Sequence, residues 1–203
     1  MSDLVRVGVL ALQGDFLEHL EALQNLAERR LIRSSKDLNA DGGIDALVLP
    51  GGESTTIGRL LEVAGLKSVL VEKIKEGMPT LATCAGAVLL AKRIKDSVIG
   101  ETNQQRLGIM DISVIRNGFG RQSSSFECKV DLKGIGAVKA SFIRAPIIDA
   151  VWGSAEPIGY INHPKVGRTI VGAIQSNIIA LTFHPEIHGD DKVHRALISM
   201  VRR

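Results

Sequence analysis

The chain has 203 residues, of which 45% are hydrophobic and 23% charged, a composition that can bury a sizeable core without disulfide bonds. The formal net charge is only +3 and the aromatic content only 3%, which argues against the basic, base-stacking surface of a nucleic-acid binder. A chain of 203 residues falls in the range of one domain, so we expect a single domain over residues 1–203. No apolar run approaches the ~20 residues of a membrane-spanning helix, so neither membrane nor nucleic acid is expected as a partner, and the cytoplasm is the expected location.

The first half of the sequence alternates between strand-like and helix-like segments. The predicted strands are residues 5–12, 46–49 and 80–83, and the predicted helices are residues 16–30, 57–63, 66–76 and 87–94, with Ser54, Thr55 and Thr56 as N-cap candidates. Strands that alternate with helices form parallel sheets covered on both faces, so the pattern predicts an α/β fold.

The second half is dominated by strand-like segments. They cover residues 109–115, 126–132, 137–143 and 170–182, separated by Gly, Asn, Pro and Ser. We expect them to add antiparallel strands to the sheet. Residues 191–203 have the apolar spacing of an amphipathic helix, which would close the fold.

Cys84 stands where a short predicted strand ends and a helix begins. A side chain on such a turn projects away from the sheet, and the tight turn needs small neighbours, which Ala82, Ala85 and Gly86 supply. The helix N-terminus would also stabilise a thiolate. The alternative is a small buried hydrophobic residue. Cys128 lies in an alternating stretch with no turn, so we predict a structural role for it.

His184 closes the apolar run 178–183, and Glu186 follows it two residues later. Histidine suits proton transfer because its pKa lies near neutrality. In an extended segment residues i and i+2 point to the same side, so Glu186 could fix the imidazole tautomer. The alternative is a strand end capped by solvated polar residues.

A metal site is the other interpretation of the histidines, because His184 and His188 are four residues apart. Such a pair needs a helix, whereas the preceding residues favour a strand, so no metal site is predicted. His19 and His163 are expected to be solvated rather than functional.

Gly51 and Gly52 follow the second predicted strand and offer free backbone amides to an oxyanion or a carboxylate. The segment could also be only a turn. It does not match the phosphate-binding patterns, because no lysine follows the glycines.

Six blocks of residues follow one another along nearly the whole chain. They are GVLALQG at 8–14, LPGGESTT at 49–56, TCAG at 83–86, RNGFGRQ at 116–122, FIRAP at 142–146 and FHPE at 183–186. Together they resemble the class I glutamine amidotransferases, and within them the glutaminase subunits of pyridoxal 5'-phosphate synthase. The resemblance implies a three-layer, flavodoxin-like α/β fold with a mixed, mostly parallel sheet flanked by helices.

The same resemblance implies a reaction. Cys84 would attack the side-chain amide of L-glutamine, form a glutamyl thioester and release ammonia, with His184 as acid and base and Glu186 orienting it. Water would then complete hydrolysis to glutamate. The amides of Gly52 and Ala85 would hold the oxyanion.

By resemblance, six residues fall where the family binds glutamine: Gly52, Glu53, Ser54, Arg116, Ile143 and Arg144. An arginine suits the substrate carboxylate because its planar fork can pair bidentately. For Arg116 and Arg144 the alternative is an ordinary surface cation. Two departures from the family pattern are Ala82, where glycine is usual, and Gly118, where serine is common.

The resemblance also implies a partner. Free ammonia would be lost in water, so the chain would form a hetero-oligomer with the (β/α)8-barrel subunit of pyridoxal 5'-phosphate synthase, and glutaminase activity would be low before docking. No cofactor is expected on this chain. Two alternatives stay open: a glutaminase or thiol hydrolase serving another pathway, and a binding subunit without catalytic activity.

Overall fold

A computed structural model describes residues 4–120 and 125–201, in which a mixed sheet carries helices on both faces. The strands are β1 (Arg6–Leu10), β2 (Glu28–Ile32), β3 (Ala46–Leu49), β4 (Thr80–Thr83), β5 (Ala91–Asp96), β6 (Gly100–Glu101), β7 (Met110–Arg116), β8 (Phe126–Leu132), β9 (Gly136–Phe142), β10 (Ile147–Val151), β11 (Glu156–His163), β12 (Gly167–Gln175) and β13 (Ile178–Leu181). The helices are α1 (Phe16–Ala22), α2 (Ser54–Val63), α3 (Lys67–Lys75), α4 (Ala85–Leu90) and α5 (Lys192–Val201), with 3-10 turns at Ala40–Gly42 and Glu186–His188. None of the helices in these described ranges is long and apolar enough to cross a membrane.

The order of strands along the main sheet is β2-β1-β3-β4-β13-β12-β10-β7-β5-β6, with β11 paired to β12. The five strands from β2 to β13 pair in parallel, while β12 and β10 join them to the far edge through antiparallel pairs. Strands β8 and β9 form a separate antiparallel hairpin. The expected α/β fold with a mixed, mostly parallel sheet and flanking helices is confirmed.

The central strands are buried on both faces, which explains why their sequences are continuous apolar runs rather than alternating ones. In β3, Leu47 and Leu49 pack into one core with Ile57 of α2, whereas Val48 packs into a second core with Leu197 of α5. The sheet therefore separates two hydrophobic cores. Its parallel strands all end at the same edge, and the candidate site residues follow those ends.

Two predicted helices were too long. Helix α1 stops at Ala22, and the second part of the predicted helix 16–30 is β2, which pairs in parallel with β1 at the sheet edge. Likewise α4 stops at Leu90, and Ala91 begins β5, which pairs with β7. In both places pairing with a distant strand overrides a local helical pattern, which sequence periodicity does not report.

Two boundaries were also wrong. The predicted strand 170–182 is divided into β12 and β13 by a tight turn, in which Ser176 has a φ of 51°. The N-cap of α2 is Glu53, whose carboxylate accepts hydrogen bonds from the amides of Thr55 and Thr56. A carboxylate at this position also interacts favourably with the positive end of the helix dipole.

Candidate functional site

Cys84 occupies a sharp turn between β4 and α4. Its φ of 44° and ψ of −102° lie in a region that non-glycine residues rarely adopt. Its backbone amide donates to the carbonyl of Leu181, the last residue of β13, at 2.8 Å. Gly86 permits the turn, because a Cβ there would lie 2.2 Å from the carbonyl oxygen of Leu49. The strand end thus fixes the thiol above the sheet.

The methyl group of Ala82, where the family usually has glycine, fits the turn. Ala82 is completely buried and pairs with Leu49 of β3 and Ala180 of β13 without a register shift. The methyl group belongs to the core beneath the turn and does not displace Cys84.

His184 directly follows Phe183 at the end of the neighbouring strand segment. Its amide donates to the carbonyl of Ser141 in β9 at 2.9 Å, so the β8–β9 hairpin fixes the backbone that carries the imidazole. Glu186 Oε1 lies 2.7 Å from His184 Nδ1, and both residues are buried. The predicted contact is present, but the predicted extended backbone is not, because the chain turns into the 3-10 helix Glu186–His188 after Pro185.

A second carboxylate, which was not predicted from the sequence, also contacts the imidazole. Asp15 precedes α1, and its Oδ2 lies 2.6 Å from His184 Nδ1. Asp15 is separated from His184 by most of the chain. The only signal in the sequence was its position after the predicted strand 5–12, at the same edge of the sheet as Cys84 and His184.

His19 was predicted to be solvated, and that prediction is wrong. Its side chain is fully buried, with Nδ1 2.9 Å from His194 Nε2 and Nε2 3.0 Å from the hydroxyl of Thr83. Its Nε2 also lies 3.7 Å from Glu186 Oε2. His19 therefore links α1 and α5 behind the residue that precedes Cys84. His163 ends β11 and packs edge-on against Phe119 rather than being free in a loop.

The buried titratable groups around His184 shift one another's pKa. Burial alone would lower the pKa of His184, but hydrogen bonds with Asp15, Cys84 and Glu186 raise it above its ordinary value. Burial opposes ionisation of Asp15, yet the hydrogen bond and charge of His184 hold the pKa of Asp15 well below its usual range. Burial, together with the nearby carboxylate of Asp15, raises the pKa of Glu186 to about 7 against the opposing effect of His184. The two carboxyl groups and the imidazole thus form one coupled acid–base cluster.

A cavity of about 120 Å³ opens beside Cys84. It is lined by Cys84, Ala85, Val88, Asn117 and Pro146, together with all six residues expected to bind glutamine, which are Gly52, Glu53, Ser54, Arg116, Ile143 and Arg144. Asn117 and Pro146 were not predicted individually, although both lie within the sequence blocks that carried the resemblance. The cavity combines a thiol, polar backbone and two guanidinium groups.

The two arginines at the cavity are held differently. Arg116 Nη1 donates to Gln104 Oε1 at 2.6 Å and to the hydroxyl of Thr55 at 3.1 Å, while its Nη2 lies 3.4 Å from Glu53 Oε1. These contacts fix a half-buried cation at the cavity wall. Arg144 is exposed and has a φ of 46°, so it projects from a tight turn before β10.

The residues expected to supply the oxyanion donors, Gly52 and Ala85, line the cavity together with Cys84. Ala85 is the first residue of α4, so its amide has no acceptor within the helix. Gly52 has a φ of 140°, and a Cβ there would approach Gln13 Oε1 to 2.7 Å. That side-chain oxygen accepts a hydrogen bond from the amide of Glu53 at 2.8 Å, which ties the glycine loop to the residues after β1.

Other sequence predictions have clear structural counterparts. Cys128 is half-buried in β8, and burial raises the pKa of its thiol. At Gly118 a Cβ would lie 2.7 Å from the side chain of Ile147. The space that Ile147 occupies therefore explains why glycine stands here in place of serine. Arg121 and Gln122, which contributed to the resemblance, lie outside the described residues.

Three side chains of the kind that bind metal ions lie close together at His184. Among the described residues, Asp15, His184 and Glu186 bring one ligand atom each within 4.8 Å of one another. The separations of 2.6 and 2.7 Å from His184 Nδ1 are hydrogen-bond distances that one shared proton explains. His188, the partner considered in the sequence, instead contacts the hydroxyl of Ser141 at 2.8 Å.

Comparison with known proteins shows what the chain is similar to. The model of the SNO glutamine amidotransferase family matches residues 9–203. The PdxT subunit of pyridoxal 5'-phosphate synthase from Hyperthermus butylicus is 51% identical over 98% of both chains, and the PdxT of Pyrobaculum arsenaticum is 47% identical over 97% of this chain and 98% of that relative.

Solved structures of glutamine amidotransferases are also similar to this chain. A crystal structure of a glutamine amidotransferase superposes with a TM-score of 0.85 at 39% identity, covering 97% of this chain and 99% of the other. A putative GMP synthase component from Thermoplasma acidophilum reaches a TM-score of 0.68 at 17% identity, covering 100% and 96% of the two chains, and shares the fold.

Proposed function

This chain belongs to the SNO glutamine amidotransferase family, and from that premise we propose how its residues carry out the reaction. The chain is a glutaminase that hydrolyses L-glutamine and supplies ammonia for pyridoxal 5'-phosphate, the active form of vitamin B6. The observation that carries the proposal is the cavity beside Cys84, which is lined by all six residues expected to bind the substrate.

Cys84 is the nucleophile and His184 the acid and base. The carboxylates occupy Nδ1 of His184, which leaves Nε2 for the thiol. His184 takes the thiol proton as sulfur attacks the carboxamide carbon, and returns it to the departing nitrogen as ammonia leaves. His184 then removes a proton from water, which attacks the thioester, and the thiol is regenerated as glutamate departs. Glu186 orients the imidazole throughout.

The oxyanion of each tetrahedral intermediate is held by the amides of Gly52 and Ala85. Backbone donors suit this task because they are already oriented and need no reorganisation when charge develops. Ala85 begins α4, so the helix N-terminus adds to the stabilisation.

Substrate recognition depends on the charged ends of glutamine. Arg116, fixed by Gln104 and Thr55, and Arg144 offer guanidinium groups to the α-carboxylate. The carboxylate of Glu53 carries a pKa below its usual range despite partial burial, because Thr56 and Thr55 hydrogen-bond it and Arg116 lies nearby. It is therefore ionised at neutral pH and suited to the substrate ammonium group.

The partner and setting are part of the proposal. We infer that the synthase partner is a (β/α)8 barrel, that residues 1–203 act as one glutaminase domain, and that the complex works in the cytoplasm. The names of the PdxT relatives support a synthase partner.

The test is release of glutamate from glutamine by the purified chain, with and without a pyridoxal 5'-phosphate synthase partner. We expect activity to rise on adding the partner and to disappear in Cys84→Ala. Cys128→Ala is the matched control, because it removes the other thiol from a half-buried position in β8. Retention of activity in Cys84→Ala, or loss of it only in Cys128→Ala, would reject Cys84 as nucleophile.

A further inference from the structure

Asp15 occupies a position at which aspartate usually caps a helix, since it immediately precedes α1. Its side chain makes no capping hydrogen bond to α1. The carboxylate instead turns toward His184, with Oδ2 2.6 Å from Nδ1. Its Oδ1 is buried and has no hydrogen-bond partner among the described residues. Helix capping is therefore not what fixes this side chain.

The loop that carries Asp15 is fitted closely to the glycine loop. A Cβ on Gly14 would lie 1.8 Å from the carbonyl oxygen of Gly51. A Cβ on Gly51 would lie 2.3 Å from His184 Cε1 and 2.9 Å from Asp15 Oδ2. Gly14 thus lets the two loops approach each other, and Gly51 clears the space in which the Asp15 carboxylate and the imidazole meet.

Two carboxylates therefore converge on a single ring nitrogen. Glu186 Oε1 lies 2.7 Å from His184 Nδ1, almost the same distance as Asp15 Oδ2. One N–H cannot point along both directions, so it is shared between the two acceptors or alternates between them. Glu186 Oε2 has no hydrogen-bond partner among the residues of ranges 4–120 and 125–201.

We propose that Asp15 is a positioning residue for the glutaminase reaction, a second carboxylate that acts through His184 by holding Nδ1 jointly with Glu186. The inference rests on the roles proposed above for Cys84 and His184. Asp15 does not line the substrate cavity, so it acts through the imidazole and not on glutamine. Either carboxylate alone can orient the ring, whereas the two together also favour its protonated form.

The charged and titratable groups around this cluster come from several elements. Cys84 faces His184 from the start of α4, and Glu186 approaches from the 3-10 turn. His19 of α1 faces Glu186 Oε2 at 3.7 Å and contacts His194 of α5. Burial lowers the pKa of both outer histidines, so they are neutral near pH 7. Asp15 is then the ionised carboxylate of the cluster, while burial raises the pKa of Glu186 to about 7.

The experiment compares Asp15→Asn, Glu186→Gln and the double variant with the parent chain, each assayed with the synthase partner. Asparagine keeps the shape of Asp15 and an acceptor oxygen but removes its charge. Glu18→Gln is the matched control, because it removes an exposed carboxylate from α1, the helix that Asp15 precedes. Glutamate release gives kcat, KM and their pH profiles, and the rate of Cys84 alkylation by iodoacetamide is followed over the same pH range.

We expect Asp15→Asn to lower kcat about ten-fold with KM changed less than about two-fold, and to move the basic limb of the profile about one pH unit lower. Losing a negative neighbour lowers the pKa of the imidazole, and the basic limb reports loss of the protonated imidazole that donates its proton to the departing ammonia, so the limb moves to lower pH. The same shift should appear in Cys84 alkylation. Residual activity of Glu186→Gln should vanish in the double variant.

A loss of kcat in Asp15→Asn without any shift of the pH profile or of the alkylation profile would indicate a merely structural role and overturn the proposal. Behaviour identical to Glu18→Gln, or a double variant as active as Glu186→Gln, would overturn it as well. If the parent chain releases no glutamate even with its partner, the proposed function fails, and the alkylation profile still decides whether Asp15 acts on His184.

Discussion

The Nδ1 atom of His19 lies 2.9 Å from the Nε2 atom of His194, and both side chains are completely buried. Burial lowers the pKa of His19 to about 3, with the neighbouring His194 acting in the same direction. Burial also lowers the pKa of His194 to about 4, against the charges of Asp191 and Asp190. Both imidazoles are therefore neutral in the folded protein at neutral pH.

The histidine pair predicts how stability depends on pH. In the unfolded chain both rings protonate near pH 6.5, whereas in the folded chain they do not, so their contribution is present above pH 6.5 and lost as the pH falls toward 4. His194→Gln should reduce the slope of the unfolding free energy against pH by about 1.4 kcal/mol per pH unit, which corresponds to one bound proton. Urea unfolding at pH 7, 6, 5 and 4 measures this.

His163→Gln is the control for that series, because His163 is only partly buried at the end of β11. The slope of the unfolding free energy against pH is measured for this variant in the same way. The raised pKa of Glu186 acts with the opposite sign, so the comparison uses the difference between variant and parent at each pH. Equal slopes for His194→Gln and the parent would contradict the prediction.

Replacing Arg116 by glutamine should weaken glutamine binding. A charge-assisted hydrogen bond contributes roughly 1.5–3 kcal/mol, so KM should rise about 10- to 100-fold while kcat changes much less. The measurement is steady-state glutamate release with the synthase partner. Arg168→Gln provides the comparison, since Arg168 lies over the ring of Tyr160 and outside the cavity. An unchanged KM in Arg116→Gln would remove Arg116 from the binding site.

Replacing Gly51 by alanine should damage catalysis more than folding. The added methyl group would meet His184 Cε1 at 2.3 Å and push the imidazole away from the thiol. A misplacement of this kind lowers kcat by about 100-fold. Gly65→Ala is the control. A Cβ on Gly65 would have no atom within 4 Å, but the φ of 63° makes alanine strained there, so this variant is destabilised without any steric contact at the site. It should lose stability but keep kcat, and a similar loss of kcat in both variants would contradict the steric explanation.

Replacing Gly118 by serine, the residue common in the family, should destabilise this chain. The new Cβ would lie 2.7 Å from Ile147 Cγ1 and 2.9 Å from its Cγ2, an overpacking that costs about 1–3 kcal/mol. Chemical denaturation measures the loss. Ile147→Ala removes Cγ1, Cγ2 and Cδ1, the three atoms that the new Cβ would meet, so the double variant should be less destabilised than the two single losses combined. Full stability in Gly118→Ser alone would show that the site relaxes freely.

The parts of the site that could be predicted lie at the ends of apolar strands. Cys84 and His184 each follow a continuous buried run, and such runs are visible in one sequence because both sheet faces are covered. The parallel order of β4 and β13 then brings the two residues together. The glycine and arginine positions came from the family resemblance, and local chemistry alone left them open.

The parts that could not be predicted depend on contacts between distant segments. Asp15 meets His184 only because β1 and β13 belong to one sheet, and His19 is buried only because α5 brings His194 to it. Histidine is counted as polar in helical patterns, so a buried one was assigned to the solvent side. Strands β2 and β5 were missed because their pairing with β1 and β7 outweighs their local helical character.

The backbone at Cys84 carries a thermodynamic consequence. A φ of 44° costs a residue with a side chain on the order of 1–3 kcal/mol, and a glycine much less. Cys84→Gly should therefore unfold at a higher temperature than Cys84→Ala, although neither can form a thioester. With the role proposed for Cys84, the thiol holds the chain below the stability that its own fold permits, because glycine would fit this turn better and would be inactive.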